Sequence, residues 1–429
     1  MRAKAGDFWD AQTENPVLSQ EAWTSNLDVQ HYVATSMDPS KPQHPLEFLR
    51  RSLAGATLRR GLSIGCGTGT LERFVLDQGL CETVDAFDGG VFSLLTARRS
   101  AKEAGLAARV RYFAADFNTI KFPPRTYDIV FFNQSLHHVA NLEGLLDQVL
   151  HTLHPDGYLY LDEYVGPSRT QWSTSQLAPL RLLHQILPEL WRKTPFLDRP
   201  VEVADPSEAV RSGEIRKLVS VAFDTHCIRD YGGNVLSVLY PKIRWDVAPP
   251  DFVKNLIDGE RSMLASGQPA FYTVWICRPR QGRRRLMASL FYRARPIVLE
   301  VRLQLTRLTC LPGLRSPLRE LAVLLQRHKE EYWPPRIETW LAAIERSRRF
   351  RDVTDLVSVL EEIRDAATGR DTGMIGGLYL AHGNERVLVA KDEELELNYR
   401  VHLLSQQVLN ASERLLESLR THVVGHFSR

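Results

Sequence analysis

Cysteine is scarce. The 429 residues hold five (Cys66, Cys81, Cys227, Cys277, Cys310), with no C-x-x-C pair and no zinc-ligand spacing. That argues against a disulfide framework and a zinc finger, and fits a reduced, cytoplasmic compartment. Long apolar runs are also missing: nothing approaches the roughly 18–20 uninterrupted apolar residues of a membrane-spanning helix. The first residues, Met1-Arg2-Ala3-Lys4-Ala5-Gly6-Asp7, lead into polar and acidic ones without the apolar segment of a secretory leader. There is no internal repeat and no low-complexity tract. Charge of one sign is lacking too, since 54 Lys and Arg stand against 51 Asp and Glu, a net +3 that selects no partner. The length leaves room for two domains, or for one large α/β domain with additions.

What is present is a glycine-rich stretch, Gly61-Leu62-Ser63-Ile64-Gly65-Cys66-Gly67-Thr68-Gly69-Thr70-Leu71-Glu72. A short apolar run enters a loop with glycine at 65, 67 and 69, and a helical pattern follows. Glycines at alternate positions let backbone N–H groups approach a ligand where a Cβ would intrude. The following helix offers unpaired N–H groups and the positive end of its dipole. No Gly-Lys-Ser/Thr follows, so this is not a P-loop. Leu71-Glu72 stands where a dinucleotide fingerprint would carry its third glycine. Taken alone, the loop suits a dinucleotide, a carboxylate or no ligand.

From residue 60 to 165 strand-like and helix-like patterns alternate, which predicts a parallel sheet. Strands are expected at 61–64, 81–87, 109–113, 127–132 and 158–163, and helices at 70–79, 91–104 and 141–153, with a turn at His154-Pro155-Asp156-Gly157. Tyr127-Asp128-Ile129-Val130-Phe131-Phe132 is apolar enough to be a central strand buried on both faces. Beyond 165 the alternation stops. Trp172, Leu177, Leu180, Leu183 and Ile186 recur at helical spacing, a proline-rich span covers 195–206, and strand-like pieces return at 235–240 and 271–277.

The glycine loop resembles motif I of the class I S-adenosylmethionine-dependent methyltransferases. The rest of the region is similar in order. Asp88 ends the second strand about twenty residues on, where the family places an acid on the cofactor's two ribose hydroxyls. Asp85 is a weaker candidate, placed before the strand tip. Ala115-Asp116-Phe117 matches the segment beside the adenine, with Asp116 accepting from the amino group and Phe117 beside the ring. The loop after the fourth strand, Asn133-Gln134-Ser135-Leu136-His137-His138-Val139, falls at the reacting centre. The resemblance implies S-adenosylmethionine as cofactor, held by Gly65, Cys66, Gly67, Gly69, Asp88, Asp116, Phe117 and Asn133. A methyl acceptor that is a hydroxyl needs a base, and an imidazole serves near neutral pH. His137 and His138 stand where that base belongs, His137 nearer the strand tip. Glu163 is the second candidate, as base or ligand of a substrate hydroxyl. No metal ligand set is read.

The same resemblance implies an α/β fold, a doubly wound, seven-stranded, mostly parallel, Rossmann-like sheet whose last strand is antiparallel. Its sixth and seventh strands would be 235–240 and 271–277. The expected organisation is an N-terminal helical arm at 1–45, a catalytic domain at 46–280 with a cap at about 166–215, and a mainly helical region at 281–429. The aromatics of the arm (Phe8, Trp9, Trp23, Tyr32) fit either closure over the ligands or cover for the sheet edge. The acceptor would be a small molecule or glycan. The loop lacks the Asn/Asp-Pro-Pro-Tyr/Phe and Pro-Cys motifs of nucleic-acid methylating enzymes, which disfavours nucleic acid; a protein or RNA acceptor, or a non-catalytic scaffold, stays as the alternative. Between 280 and 319 arginine dominates among apolar residues, suiting an anionic membrane surface or a polymer. The simpler reading, a packed helix with solvated arginines, is preferred. A hairpin is expected at 378–390. Leu397, Val401, Leu404, Val408, Ala411 and Leu415 form a heptad-like seam, fitting a homodimer or an intramolecular helix pair equally.

Overall fold

In a computed structural model of the chain, the described residues are 22–327, except 57, 170, 173, 199, 201–204 and 206, then 333–349, and scattered helical positions between 359 and 416. They fall into two compact units, Met1–Arg293 and Ala294–Phe427.

The first unit is built on a seven-stranded sheet: β1 (Arg60–Ile64), β2 (Thr83–Asp88), β3 (Val110–Ala114), β4 (Tyr127–Asn133), β5 (Leu153–Tyr164), β6 (Phe223–Asp230) and β7 (Tyr272–Pro279). The order is β3-β2-β1-β4-β5-β7-β6. All pairings from β3 to β5 are parallel, and β7 runs antiparallel between β5 and β6. The order reverses between β1 and β4, so a crevice opens there at the carboxyl ends of the strands, where open α/β sheets bind ligands.

Strand alternation sorts the apolar residues into two cores. Ile129 and Phe131 of β4, with Tyr158 and Tyr160 of β5, face one side, against helices α1 (Leu27–Met37), α2 (Pro45–Ser52), α3 (Thr70–Asp77) and α4 (Val91–Glu103). Val130, Phe132, Leu159 and Leu161 face the other, with Leu62 and Ile64 of β1, against α5 (Leu142–Thr152). Phe131 and Phe132 are both essentially inaccessible to solvent; truncating either to alanine would cost about 3–5 kcal/mol. The helices start where short polar side chains cap them. Asn26 accepts from the N–H groups of Asp28 and Val29 ahead of α1, and Asn141 from that of Gly144 in α5.

The structure moves one expected strand. Residues 235–240 form a helical turn, α8 (Leu236–Leu239), and the sixth strand is Phe223–Asp230, after α6 (Thr174–Ile186) and α7 (Ile215–Ala222), the latter also packing on the second core. A short apolar run does not tell strand from buried helix. Here Gly232 and Gly233, both at φ +88°, turn the chain, and the Glu260 carboxylate of α9 (Phe252–Ala265) accepts from the N–H groups of Gly233, Val235 and Leu236. Those groups therefore need no sheet neighbour. The true β6 is an edge strand with mostly exposed residues, so no apolar run announces it. The turn expected at 154–157 is a register shift inside β5: Tyr127 pairs with Leu153 and Ile129 with Tyr158.

Phe8 and Trp9 of the expected arm lie outside the described residues. Trp23 packs on Tyr272 of β7, ring centroids 5.1 Å apart, where Tyr272 pairs with Tyr164 at the carboxyl tip of β5, and the Arg229 guanidinium of the edge strand β6 donates to the carbonyl of Met37. α10 (Gly282–Arg327) begins by packing on the first unit, with Ala288 and Tyr292 in its second core. There Arg285 donates to the Leu150 and Leu153 carbonyls, and Arg293 pairs with Asp147 at 3.0 Å. In the second unit Val401, Leu404, Val408 and Leu415 are buried in one cluster with Leu314, Leu318, Leu321 and Trp340. The heptad-like seam is thus used within the chain, as the intramolecular helix pair expected of it. Leu397 and the expected hairpin lie outside the described residues. Among the described residues, no helix is long and apolar enough to cross a membrane.

Candidate functional site

The glycine loop runs from the end of β1 to the start of α3. The N–H groups of Gly65 and Cys66 donate to the Phe87 carbonyl of β2, at 2.8 and 3.0 Å. Gly65 has φ +77°, and a Cβ on it would sit 2.3 Å from that of Ser135; no other residue fits. Gly67, at φ +50°, faces open space. Asp88 stands at the tip of β2, half-buried, with one carboxylate oxygen accepting from Gly67 N–H at 2.7 Å and the other from Gly90 N–H at 2.8 Å. These two bonds orient the Asp88 carboxylate at the strand tip.

Asp85 takes another part. It is buried between Arg60 and Arg111, at 2.6 and 2.7 Å, and accepts from the Tyr127 hydroxyl at 2.9 Å. Burial alone would raise its carboxyl, but Arg111 and Arg60 hold it below the usual range. It ties β2 to Arg60 of β1, Arg111 of β3 and Tyr127 of β4.

After β3, the exposed Asp116 accepts from the backbone and side-chain N–H groups of Asn118, whose own side-chain oxygen accepts from Ala140 and Asn141 N–H. Phe117 packs against the second core together with Phe87, and Phe87 stacks on Phe113 with centroids 5.1 Å apart. The tips of β2 and β3 thus present aromatic faces beside two carboxylates.

The loop after β4 is held in several ways. Asn133 ends the strand opposite Asp162. Gln134 has the left-handed φ of +55°; its backbone N–H donates to the Asp162 carbonyl at 2.7 Å, and its side chain donates to Asp162 and the Tyr231 hydroxyl. Asp162 also accepts from that hydroxyl at 2.6 Å, and burial pushes its carboxyl up to about 6. The Ser135 hydroxyl donates to the Ile64 carbonyl at 2.6 Å, which ties this loop to the glycine loop.

Glu163 is not the free carboxylate expected. It is fully buried; one oxygen accepts from the N–H groups of Ser135 and Leu136, and the other lies 2.7 Å from His137 Nδ1. Both oxygens are spent on the loop, so Glu163 orients His137 and does not itself present an oxygen to the cleft. This corrects its expected role as a base or hydroxyl ligand, because the inward direction of a β5 side chain is set by pairing with β4.

His137 and His138 lie with ring centroids 4.1 Å apart, and Nε2 of each is 3.7 Å from one oxygen of Glu208. On the far side of His138, Nδ1 lies 3.1 Å from the Ser207 hydroxyl and 3.5 Å from Asp205 Oδ2. Burial disfavours the charged form of His137, but the charges of Glu163 and Glu208 outweigh it and lift the imidazole to about 9. Burial and the neighbouring charge of His137 push His138 well below the ordinary value. At neutral pH His138 is therefore the neutral ring and His137 the charged one. The segment carrying Glu208 is anchored by buried Arg211, paired with Glu143 of α5 and with Glu214 at 2.8 Å, and by Val210 N–H donating to the His137 carbonyl. Asp205, Ser207 and Glu208 were not anticipated. They sit in an aperiodic, proline-rich span, and the Asp-x-Ser-Glu wording is the one signal it offers.

Residues 62–161 match the family model described as "Methyltransferase domain". A sterol 24-C-methyltransferase of Eremothecium gossypii is 26% identical over 104 residues, 24% of this chain and 28% of that protein. A ubiquinone biosynthesis O-methyltransferase of Xylella fastidiosa is 31% identical over 134 residues, 29% of this chain and 52% of that one. Among solved structures, the Streptomyces coelicolor geranyl diphosphate C-methyltransferase is similar over 54% of this chain and 74% of its own, at 14% identity and a TM-score of 0.37. The chain spans about a quarter to a half of the length of these curated relatives. The open space before Gly67, the oriented Asp88 and the N-terminus of α3 suit that family's cofactor. The chain carries a class I S-adenosylmethionine-dependent methyltransferase domain, and S-adenosylmethionine is its cofactor.

Proposed function

We propose that the protein transfers a methyl group to a hydroxyl of a small molecule or glycan. The observation that carries this is the Ser135–Ile64 hydrogen bond, which fastens the histidine loop beside the glycine loop at the switch point of the sheet. Asp88 would hold the ribose hydroxyls, Asp116 and Phe117 the adenine, and the glycine loop the amino-acid part, with Cys66 and Asn133 lining the same edge. The bound cofactor supplies a methyl group already activated on a sulfonium. What remains for the chain is to hold the acceptor in line, exclude water and take its proton. His138, neutral and backed by Asp205, is suited to that last task, with His137 held by Glu163 beside it.

An oxygen acceptor is supported by the likeness to the ubiquinone biosynthesis O-methyltransferase. A polymer acceptor loses support because Arg280, Arg285 and Arg293 are engaged by Asp224, backbone carbonyls and Asp147. We place the catalytic domain at 46–280, with the cap at 166–215 supplying Glu208 and the acceptor pocket; residues 281–429 would serve localisation or assembly. The test is calorimetry with S-adenosylmethionine and S-adenosylhomocysteine on wild type and Asp88→Ala, followed by labelled-methyl transfer to hydroxylated acceptors. Micromolar binding lost in the variant, with transfer to oxygen, is expected. Binding without transfer to any acceptor would favour a scaffold role, and no binding would remove the reading.

A further inference from the structure

The pair of histidines and Glu208 do more than surround a proton. We propose that His137 Nε2, His138 Nε2 and the Glu208 carboxylate form a binding site for one divalent transition-metal ion, of the zinc, cobalt or iron(II) class.

The three donor atoms lie within 4.8 Å of one another, and both Nε2 atoms are 3.7 Å from the same Glu208 oxygen. At that separation neither nitrogen makes a hydrogen bond to Glu208. Ligands held about 2.0–2.1 Å from a tetrahedral ion stand roughly 3.4 Å apart, so the set needs to contract by only a fraction of an ångström at its close contacts.

The second observation is on the far side of each ring. A metal-binding imidazole ordinarily gives its other nitrogen to a carboxylate or hydroxyl, which fixes the ring and leaves a lone pair on the metal side. His137 Nδ1 meets Glu163, and His138 Nδ1 meets Ser207 and Asp205. Asp205 is essentially buried, and its Oδ2, the oxygen facing His138, has no hydrogen-bond partner among the described residues. Two buried carboxylates thus stand behind two rings, with both Nε2 atoms converging on a third carboxylate. Every chain segment involved is tethered: the histidine loop through Ser135 and Glu163, and the Glu208 segment through Arg211.

The donor set selects the ion. Two imidazoles and one carboxylate suit zinc and the neighbouring transition metals, whereas magnesium and calcium take oxygen ligands. Three protein ligands leave at least one position open. An acceptor oxygen bound there would lose its hydroxyl proton to water more easily, with His138 then a ligand to the ion and no longer the base; this use, unlike the site itself, rests on the methyl-transfer reading above.

The test uses the full-length chain, stripped with chelator and titrated with Co²⁺ and Zn²⁺ by calorimetry and by the visible absorption of bound Co²⁺. One ion per chain at micromolar or tighter Kd is expected. His138→Ala and Glu208→Gln should each weaken it at least 50-fold, and Asp205→Asn by about 10- to 100-fold. The melting temperature and S-adenosylhomocysteine affinity of each variant, measured alongside, show whether it folds; Asp205→Asn and Glu208→Gln keep the side-chain shape. No binding by the stripped wild type, or binding unchanged in folded His138→Ala and Glu208→Gln, would overturn the proposal. Metal binding without S-adenosylhomocysteine binding would leave the site standing and remove the methyl-transfer reading. The converse would remove the site alone.

Discussion

Oε2 of Glu163 lies 2.7 Å from Nδ1 of His137, while Oε1 of the same carboxylate takes the N–H groups of Ser135 and Leu136. One buried side chain on β5 therefore sets both the path of the loop after β4 and the direction of its first histidine. Glu163→Gln keeps the size but removes the charge. Hydrogen bonds to a charged group contribute about 1.5–3 kcal/mol, so urea unfolding should show a loss of that order, with methyl transfer falling and S-adenosylhomocysteine affinity within a few-fold of wild type. Unchanged stability would mean the carboxylate does not hold the loop.

Two glycines of one loop should respond differently to alanine. At Gly65 the new Cβ would meet Ser135 at 2.3 Å with φ at +77°, so Gly65→Ala should cost at least about 2 kcal/mol of stability and disturb the histidine loop. At Gly67 the Cβ would point into open space. Gly67→Ala should pay only the backbone term of about 1–2 kcal/mol, yet lose cofactor affinity because the methyl stands where the ligand approaches. Thermal melts paired with calorimetry separate the two effects; equal loss of affinity per kcal/mol of stability would contradict the assignment.

Asp88 is held in place by the N–H groups of Gly67 and Gly90. Asp88→Ala should weaken S-adenosylhomocysteine binding at least about tenfold, or ~1.4 kcal/mol. Asp85→Ala should behave in the opposite way, unfolding more easily because Arg60 and Arg111 lose their partner while a folded remnant still binds the cofactor. If Asp85 rather than Asp88 governs affinity, the site is misplaced by three residues along β2.

Glu72, under the glycine loop in α3, is fully buried, and burial pushes its carboxyl from 4.5 to about 7. The native state then binds a proton that the unfolded chain has released, so this contribution is present below about pH 4.5 and is lost as pH rises through 7. At about 1.4 kcal/mol per pKa unit it amounts to roughly 3 kcal/mol at most. Glu72→Gln should flatten the fall in Tm between pH 5 and 8 and be the more stable protein at pH 8. A parallel pH profile for the two would show that Glu72 is not titrating in that window.

The parallel α/β core, the glycine loop and the strand tips carrying Asp88, Asp116 and His137-His138 are legible in the sequence, because these are written in local periodicity and in turn residues beside the strands they end. The sequence did not reveal which way Glu163 points, since a strand that is apolar on both faces carries no mark of the face given to a neighbour's loop. It mistook 235–240 for a strand because a short buried apolar run serves either structure, and Glu260, which settles the matter, lies 25 residues past Val235. The heptad-like seam suits a dimer contact or an internal one equally by its spacing, and it is the fold that sets Leu314, Leu318 and Trp340 against it. Asp205 and Glu208 reach the histidine loop because Arg211 bonds with Glu143 of α5, 68 residues earlier in the chain, and Val210 N–H with the His137 carbonyl. Pairings of that kind depend on which surfaces the folded chain brings into contact, and residue spacing carries no record of them.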